Sequence, residues 1–140
     1  MPAIYGSGAR PQVPALQADA VLAQANPVSG TKYTVLATTA NVRIIGAMAK
    51  VTWTVQPNPL ELHFTIDGLT VKHAQGNPVT ATNYFIEEWT DAAQNTQGMN
   101  TTNYAHYRAF SYECRSIKVE AETTGGTVSA LDSRVKWSKW

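Results

Sequence analysis

Histidine is the residue type in this chain best suited to metal binding, and three are present: His63, His73 and His106. A zinc site in a protein needs three or four His, Cys or carboxylate ligands that converge on one ion. Because side chains alternate along a strand, His63 and His73 are expected on opposite faces of one β-hairpin and cannot share an ion there. The sequence has no Cys-x-x-Cys, His-Glu-x-x-His or acidic calcium-loop motif that would supply further ligands. We therefore expect no metal site and no cofactor.

The carboxylates offer little support for acid–base catalysis. Hydrolysis of a glycoside needs two carboxylates that flank the scissile bond, whereas the adjacent pair Glu87-Glu88 would point to opposite faces of a strand. The remaining strand glutamates are expected at solvent-facing positions: Glu61, Glu113, Glu120 and Glu122. Glu120 and Glu122 share a face, so their like charges call for a basic neighbour such as Arg134 or Lys136.

Nucleophilic catalysis is not indicated either. The single cysteine, Cys114, lies in an alternating segment, which favours a small core residue over a reactive thiol. One cysteine rules out an internal disulfide, so the fold must be held by packing. Neither Gly-x-Ser-x-Gly nor a phosphate-cradling glycine loop is present. We expect no catalytic residues and a protein that is not an enzyme.

Four aromatic side chains in polar or basic surroundings could bind a ligand: Tyr104, Tyr107, Trp137 and Trp140. An exposed ring can stack on a sugar, and the amides of Asn100 and Asn103 could hydrogen-bond its hydroxyls. The competing interpretation is that these rings fill the ends of the fold or anchor a subunit contact, where Tyr and Trp are enriched. The sequence leaves both open.

Charge and hydropathy exclude two classes of partner. The net charge is +1 and charged residues make up 15% of the chain, so the basic field of a nucleic-acid-binding protein is missing. No run is long enough to span a membrane, and residues 1–8 lack the basic and apolar regions of a secretory signal. We expect a chain made in a cytoplasm, without a nucleic-acid or membrane partner.

The element that must position His63 is the segment Leu60–Val71, which alternates apolar and polar residues on both sides of Asp67-Gly68. Asp-Gly between alternating runs is a strong signal for a two-residue hairpin turn. This turn pairs Ile66 with Leu69, Phe64 with Val71 and Leu62 with His73, all on one face that should meet the core. The segment predicts antiparallel β-structure with one wet face.

Further strand signals follow every 8 to 15 residues from Gly30 onwards, and seventeen threonines add to the β-propensity. The apolar parity of Asn41–Val55 switches at Ile45-Gly46, which predicts a bulge in a long bent strand. Gly125-Gly126 predicts a second hairpin, and residues 91–103 a long polar loop. About eight strands in this pattern predict an all-β protein, an antiparallel, jelly-roll-like β-sandwich over residues 30–140, with a closed barrel as the alternative.

Residues 1–29 differ from the rest of the chain because four prolines interrupt them and preclude a central strand. Ala15–Gln24 is predicted to form a short helix, with Pro14 in its first turn. Two interpretations compete: a disordered leader, or an extended arm that orders on the domain or on a neighbouring subunit. The apolar residues of the segment favour the arm.

Taken together, the arm 1–29, the bent strand Asn41–Val55 and the turns at Asp67-Gly68 and Gly125-Gly126 resemble the accessory structural proteins of tailed phages. This class comprises head decoration (cement) proteins and small tail or fibre proteins, which commonly have jelly-roll folds and form trimers on a shell. The resemblance implies a non-enzymatic virion protein, a homo-oligomer that binds the major capsid protein or another virion protein. The arm and the loop 91–103 would make the contacts, through Ile4, Tyr5, Val13, Leu16, Leu22, Asn95, Met99 and Asn100. The alternative is a carbohydrate-binding module or receptor-binding tip that uses the four aromatic residues above.

Overall fold

The computed structural model describes residues 16–78, 80, 82–86, 89–90, 96–97 and 112–139, and these residues contain strands and turns but no helix. No segment of the described residues is a helix long and apolar enough to cross a bilayer. The strands of the described residues are β1 (Leu16–Ala25), β2 (Tyr33–Thr38), β3 (Val42–Val55), β4 (Leu60–Ile66), β5 (Leu69–Gln75), β6 (Thr82–Ile86), β7 (Trp89–Thr90), β8 (Thr96–Gln97), β9 (Tyr112–Cys114), β10 (Ile117–Thr123) and β11 (Thr127–Lys139).

Two antiparallel sheets make up the sandwich. The five-stranded sheet has the order β9-β3-β11-β1, and β6 pairs with β3 beside β9. The four-stranded sheet has the order β2-β10-β4-β5. A separate short pair joins β7 to β8, and β8 lies within residues 91–103, where a polar loop was expected. The prediction of an all-β sandwich is confirmed.

The strand order is that of a jelly roll. Because β11 occupies one edge of β3 along its length, β6 and β9 share the other edge and fill a single strand position. If β6 and β9 together count as the sixth strand, then β10 is the seventh and β11 the eighth. The order is then 1-8-3-6 in one sheet and 2-7-4-5 in the other. Apart from the β4–β5 hairpin, these successive strand positions alternate between the two sheets, which is the arrangement of a jelly roll.

The core lies between the sheets and is built from the alternating apolar positions of both. The four-stranded sheet contributes Leu62, Phe64 and Val119, and the five-stranded sheet contributes Ile44 and Leu131, all fully buried. These five residues lie on the inner faces of their strands, as the alternation predicts. Neither sheet could keep these side chains from water without the other.

The predicted bulge in β3 is confirmed. Along β11, Lys136 pairs with Gly46 and the next residue, Trp137, pairs with Ile44, so Ile45 is the extra residue. A bulge shifts the parity of the strand by one position. This shift keeps both Ile44 and Ala47 in the core.

The hairpin at Asp67-Gly68 has the predicted register, with Ile66 opposite Leu69, Phe64 opposite Val71 and Leu62 opposite His73. Both turn residues have positive φ, 48° and 89°, as a type I′ turn requires. The predicted burial of one face is only partly correct, because Leu69 and Val71 are exposed. They lie on β5, the edge strand of its sheet, where a core-facing position is not covered from both sides.

The second predicted hairpin is wrong, although the turn itself exists. Gly125 and Gly126 both have positive φ, but they connect β10 to β11, which lie in different sheets. The two strands cannot pair with each other because both edges of β10 are taken by β2 and β4, and both edges of β11 by β1 and β3. The turn is a corner between the sheets.

The predicted helix over Ala15–Gln24 is also wrong. Leu16–Ala25 is a strand that pairs with β11 from Leu16 opposite Lys139 to Ala25 opposite Ala130. A short, weakly apolar helix has little stability alone. Pairing with β11 satisfies the backbone hydrogen bonds of Leu16–Ala25 along one edge and packs Ala20 and Leu22 against the core. The described part of the expected arm is therefore an edge strand, which agrees with the exclusion of a central one.

Candidate functional site

The outer face of the four-stranded sheet brings together Glu61, His63 and Glu122. Glu61 and His63 are two residues apart on β4, so they share the face opposite Leu62 and Phe64. The pairing of β10 with β4 places Glu122 directly opposite Glu61. Two adjacent strands thus position three side chains that can bind a proton or a cation.

The three groups converge on one ring nitrogen. His63 Nε2 lies 3.1 Å from Glu61 Oε1 and 3.0 Å from Glu122 Oε1. The side chains of His63, Glu61 and Glu122 are only 8%, 11% and 14% exposed, although they lie on the face away from the core. The group is therefore nearly withdrawn from water. Charge–charge interactions are stronger in such a position than at an exposed surface.

Two lysines border this group. Lys72 Nζ lies 3.2 Å from Glu61 Oε2, the oxygen that does not face His63. Lys118 Nζ lies 3.2 Å from Glu120 Oε2. The prediction that Arg134 or Lys136 is the basic neighbour of Glu120 and Glu122 is wrong, because both basic residues belong to β11 in the other sheet. The prediction that Glu61 faces solvent is likewise wrong, since it is buried.

His73 takes no part in this group. It lies on the inner face, buried, with its ring 5.3 Å from that of Phe64 at an interplanar angle of 86°. The expectation that His63 and His73 lie on opposite faces is confirmed, and His106 is outside the described residues. What the sequence argument missed is the pair of glutamates beside His63. The spacing Glu61-x-His63 was a visible signal, but Glu122 is joined to it only by the strand pairing.

Cys114 is a buried core residue, as predicted. Its burial, and secondly the negative charge of Asp67, raise the pKa of the thiol from 9.0 to about 11. A thiol that stays protonated at neutral pH is a poor nucleophile. The structure thus gives Cys114 a packing role.

Most of the residues predicted to make contacts lie outside the described residues: Ile4, Tyr5, Val13, Asn95, Met99, Asn100, Tyr104, Tyr107 and Trp140. Leu16 is the first residue of β1, and Leu22 packs against the core from the middle of that strand. Trp137 also packs against the core and is half-buried. Of the two interpretations of Trp137, the structure supports a ring that fills the fold.

Fold and site together define the class of the protein: an all-β jelly-roll domain with a nearly buried carboxylate–histidine group on its outer face. Comparison with protein-family models, with curated proteins and with solved structures found no match.

Proposed function

We propose that this protein is a non-enzymatic structural component of a virion, a capsid decoration protein that oligomerises and binds a protein shell. The observation that supports this function best is the position of β1 at an edge of the sandwich. Among the described residues, β1 pairs on one side with β11 and has no partner on the other. The contact region comprises this edge and the chain that precedes it.

An edge strand is suited to assembly because its outward N–H and C=O groups can pair with another chain. Residues 1–15 lead directly into Leu16, the first residue of β1, so a segment that reaches a neighbour starts from this edge. The jelly-roll fold agrees with the proposal, because viral capsid proteins use it, although lectins do so too. A fold of this kind is held by packing, with its one cysteine buried in the core.

Val21 and Val55 provide a matched pair of variants. Their side chains are similarly exposed, 60% and 57%, but Val21 is on the open edge strand and Val55 ends β3. A lysine on an edge strand opposes pairing with another chain. We expect Val21→Lys, and removal of residues 1–15, to reduce oligomerisation and shell binding while Val55→Lys leaves both unchanged.

Light scattering on the purified chain and co-sedimentation with capsid shells from the virus that encodes it measure these two effects. Circular dichroism melts confirm that each variant is folded. A full chain that is monomeric and does not sediment with shells would refute the proposal. So would assembly that is equally insensitive to Val21→Lys and to removal of residues 1–15.

The alternative, a carbohydrate-binding module or receptor-binding tip, has less support. Trp137 is packed against the core, and the other three aromatic residues lie outside the described residues. A glycan array probed with the full chain distinguishes the two functions. Specific glycan binding that is lost in Tyr104→Ala would favour the alternative.

A further inference from the structure

We propose that Glu61, His63 and Glu122 form a binding site for a divalent transition-metal ion of the Zn²⁺ type. The proposal concerns a different surface from the assembly contact, because the three residues lie on β4 and β10 and not on the open edge β1. It is therefore independent of the proposed function and can fail separately.

Hydrogen bonding alone does not account well for the geometry. A ring nitrogen carries at most one proton, which points along one direction in the ring plane, so it makes one straight hydrogen bond. Two carboxylate oxygens nevertheless lie 3.1 Å and 3.0 Å from the same Nε2. A metal ion between the three atoms would be satisfied by all of them at once.

The distances suit such an ion. Ligands about 2.1 Å from a tetrahedral zinc ion lie about 3.4 Å from one another. The two distances from His63 Nε2 to the carboxylate oxygens are a few tenths of an ångström shorter, and the three ligand atoms all lie within 4.8 Å of each other. Small rotations of two glutamate side chains would open the site without moving the strands.

The balance of charge points in the same direction. Glu61 and Glu122 carry two negative charges and Lys72 supplies one positive charge, while Lys118 offsets Glu120. Because an imidazole that ligates a metal is neutral, these ligands would present one excess negative charge to a bound ion, at a nearly buried position. Such a charge is costly unless it is paired. A divalent cation supplies the missing positive charge.

The ligand set selects the kind of ion. The imidazole nitrogen favours zinc and neighbouring transition metals, whereas Ca²⁺ and Mg²⁺ prefer oxygen ligands alone. Lys72 holds the outer oxygen of Glu61 and so directs the inner oxygen towards His63. Three protein ligands leave one tetrahedral position for water or for a group from a binding partner.

Calorimetric titration of the EDTA-treated full chain with Zn²⁺ tests the proposal. We expect one ion per chain, and at least a tenfold loss of affinity in Glu122→Gln and in His63→Asn, since even the loss of an outer partner costs about 10- to 100-fold. Glu113 is exposed on β9 and pairs with Arg43. Glu113→Gln is the matched control, because it removes the same charge at a different place. Its affinity should equal that of the unaltered chain.

A second measurement keeps the test valid if His63→Asn does not fold. Glu122→Gln preserves side-chain size, and its thermal melt with and without Zn²⁺ reports binding through the shift in Tm. Bound Co²⁺ should show the visible absorption of a tetrahedral nitrogen–oxygen site, lost in Glu122→Gln. Three results would overturn the proposal: no stoichiometric uptake, uptake that Glu122→Gln retains, or tighter binding of Ca²⁺ or Mg²⁺ than of Zn²⁺.

Discussion

Asp67 shows how much one side chain in a turn can contribute. Its backbone adopts the left-handed conformation at φ 48°, and its Oδ1 accepts hydrogen bonds from the N–H groups of Arg115 and Ser116 at 2.8 Å and 2.9 Å. Its own N–H donates to the carbonyl of Ser116 at 3.0 Å. The residue therefore forms the β4–β5 turn and also holds the connection between β9 and β10.

This double role predicts unequal costs for two substitutions at Asp67. Asp67→Ala removes the acceptor and places a residue that disfavours positive φ, so we expect a loss of about 2 kcal/mol in the free energy of unfolding. Asp67→Asn keeps an acceptor oxygen and tolerates this conformation, so its cost should be less than half as large. Urea denaturation of the two variants measures both values. Equal losses would contradict the prediction and show that an amide oxygen cannot replace the carboxylate as the acceptor for Arg115 and Ser116.

Cys114 makes stability depend on pH in the alkaline range. Its pKa is about 11 in the folded chain and 9.0 ordinarily, so between these values the unfolded chain releases the thiol proton while the folded chain retains it. The unfolded state then binds fewer protons, and the free energy of unfolding falls as the pH rises from 9 to 11. Cys114→Ala should lack this component.

The measurement is the difference between the unaltered chain and Cys114→Ala in urea denaturation at pH 8 and at pH 10.5. Other groups that ionise in this range cancel in the difference. Asp67→Asn should lower the pKa of the thiol, because it removes the second cause of the shift. A difference that stays constant across the range would contradict the prediction.

At the scale of elements, the turns and the bulge decide where each strand lies. The type I′ turn sets the register of β4 against β5, and the bulge at Ile45 keeps apolar residues on both sides of it, Ile44 and Ala47, in the core. The turn at Gly125-Gly126 differs from these two features, because it connects a strand of one sheet to a strand of the other. Its two glycines both have positive φ but differ in their surroundings.

Gly126→Ala should destabilise the protein much more than Gly125→Ala. A Cβ at Gly126 would clash with the carbonyl oxygen of Val55 and lie 2.6 Å from backbone atoms of Gln56, whereas nothing lies within 4 Å of one at Gly125. We expect a loss of about 1 kcal/mol for Gly125→Ala from backbone strain alone, and of about 3 kcal/mol or more for Gly126→Ala. Thermal and urea denaturation measure the two. Similar losses would show that the backbone can move aside.

At the scale of the whole molecule, we expect the described sandwich to unfold as one cooperative unit, because its two sheets share a core. Phe64 of the four-stranded sheet is fully buried in the same cluster as Ile44, Val51 and Leu131 of the five-stranded sheet. Residues of both sheets therefore exclude water from the same cluster. Loss of packing in one sheet must therefore weaken the other.

Phe64→Ala should lower the free energy of unfolding by about 3–5 kcal/mol and destabilise both sheets together. Unfolding is followed by far-UV circular dichroism and by tryptophan fluorescence, to which Trp53 and Trp137 of the five-stranded sheet contribute. We expect the two probes to give coincident transitions in the variant as in the unaltered chain. Separate transitions would mean that the sheets unfold independently.

The sequence by itself determined the features that depend on near neighbours. Alternation around Asp67-Gly68 set the hairpin register, and the parity switch at Ile45-Gly46 located the bulge. These signals are reliable because burial of one strand face and positive φ in a turn are local requirements. The number and spacing of the strand signals predicted the sandwich.

Only the tertiary structure decided which distant segments meet. Leu16–Ala25 is a strand and not a helix because β11, more than a hundred residues away, offers it an edge. Gly125-Gly126 turns between sheets because the neighbouring strand edges are already occupied. His63 lies between two glutamates because β10 pairs with β4 and sets Glu122 opposite Glu61. Pairing of strands distant in sequence depends on competition among all the edges of the molecule, and no local pattern records its outcome.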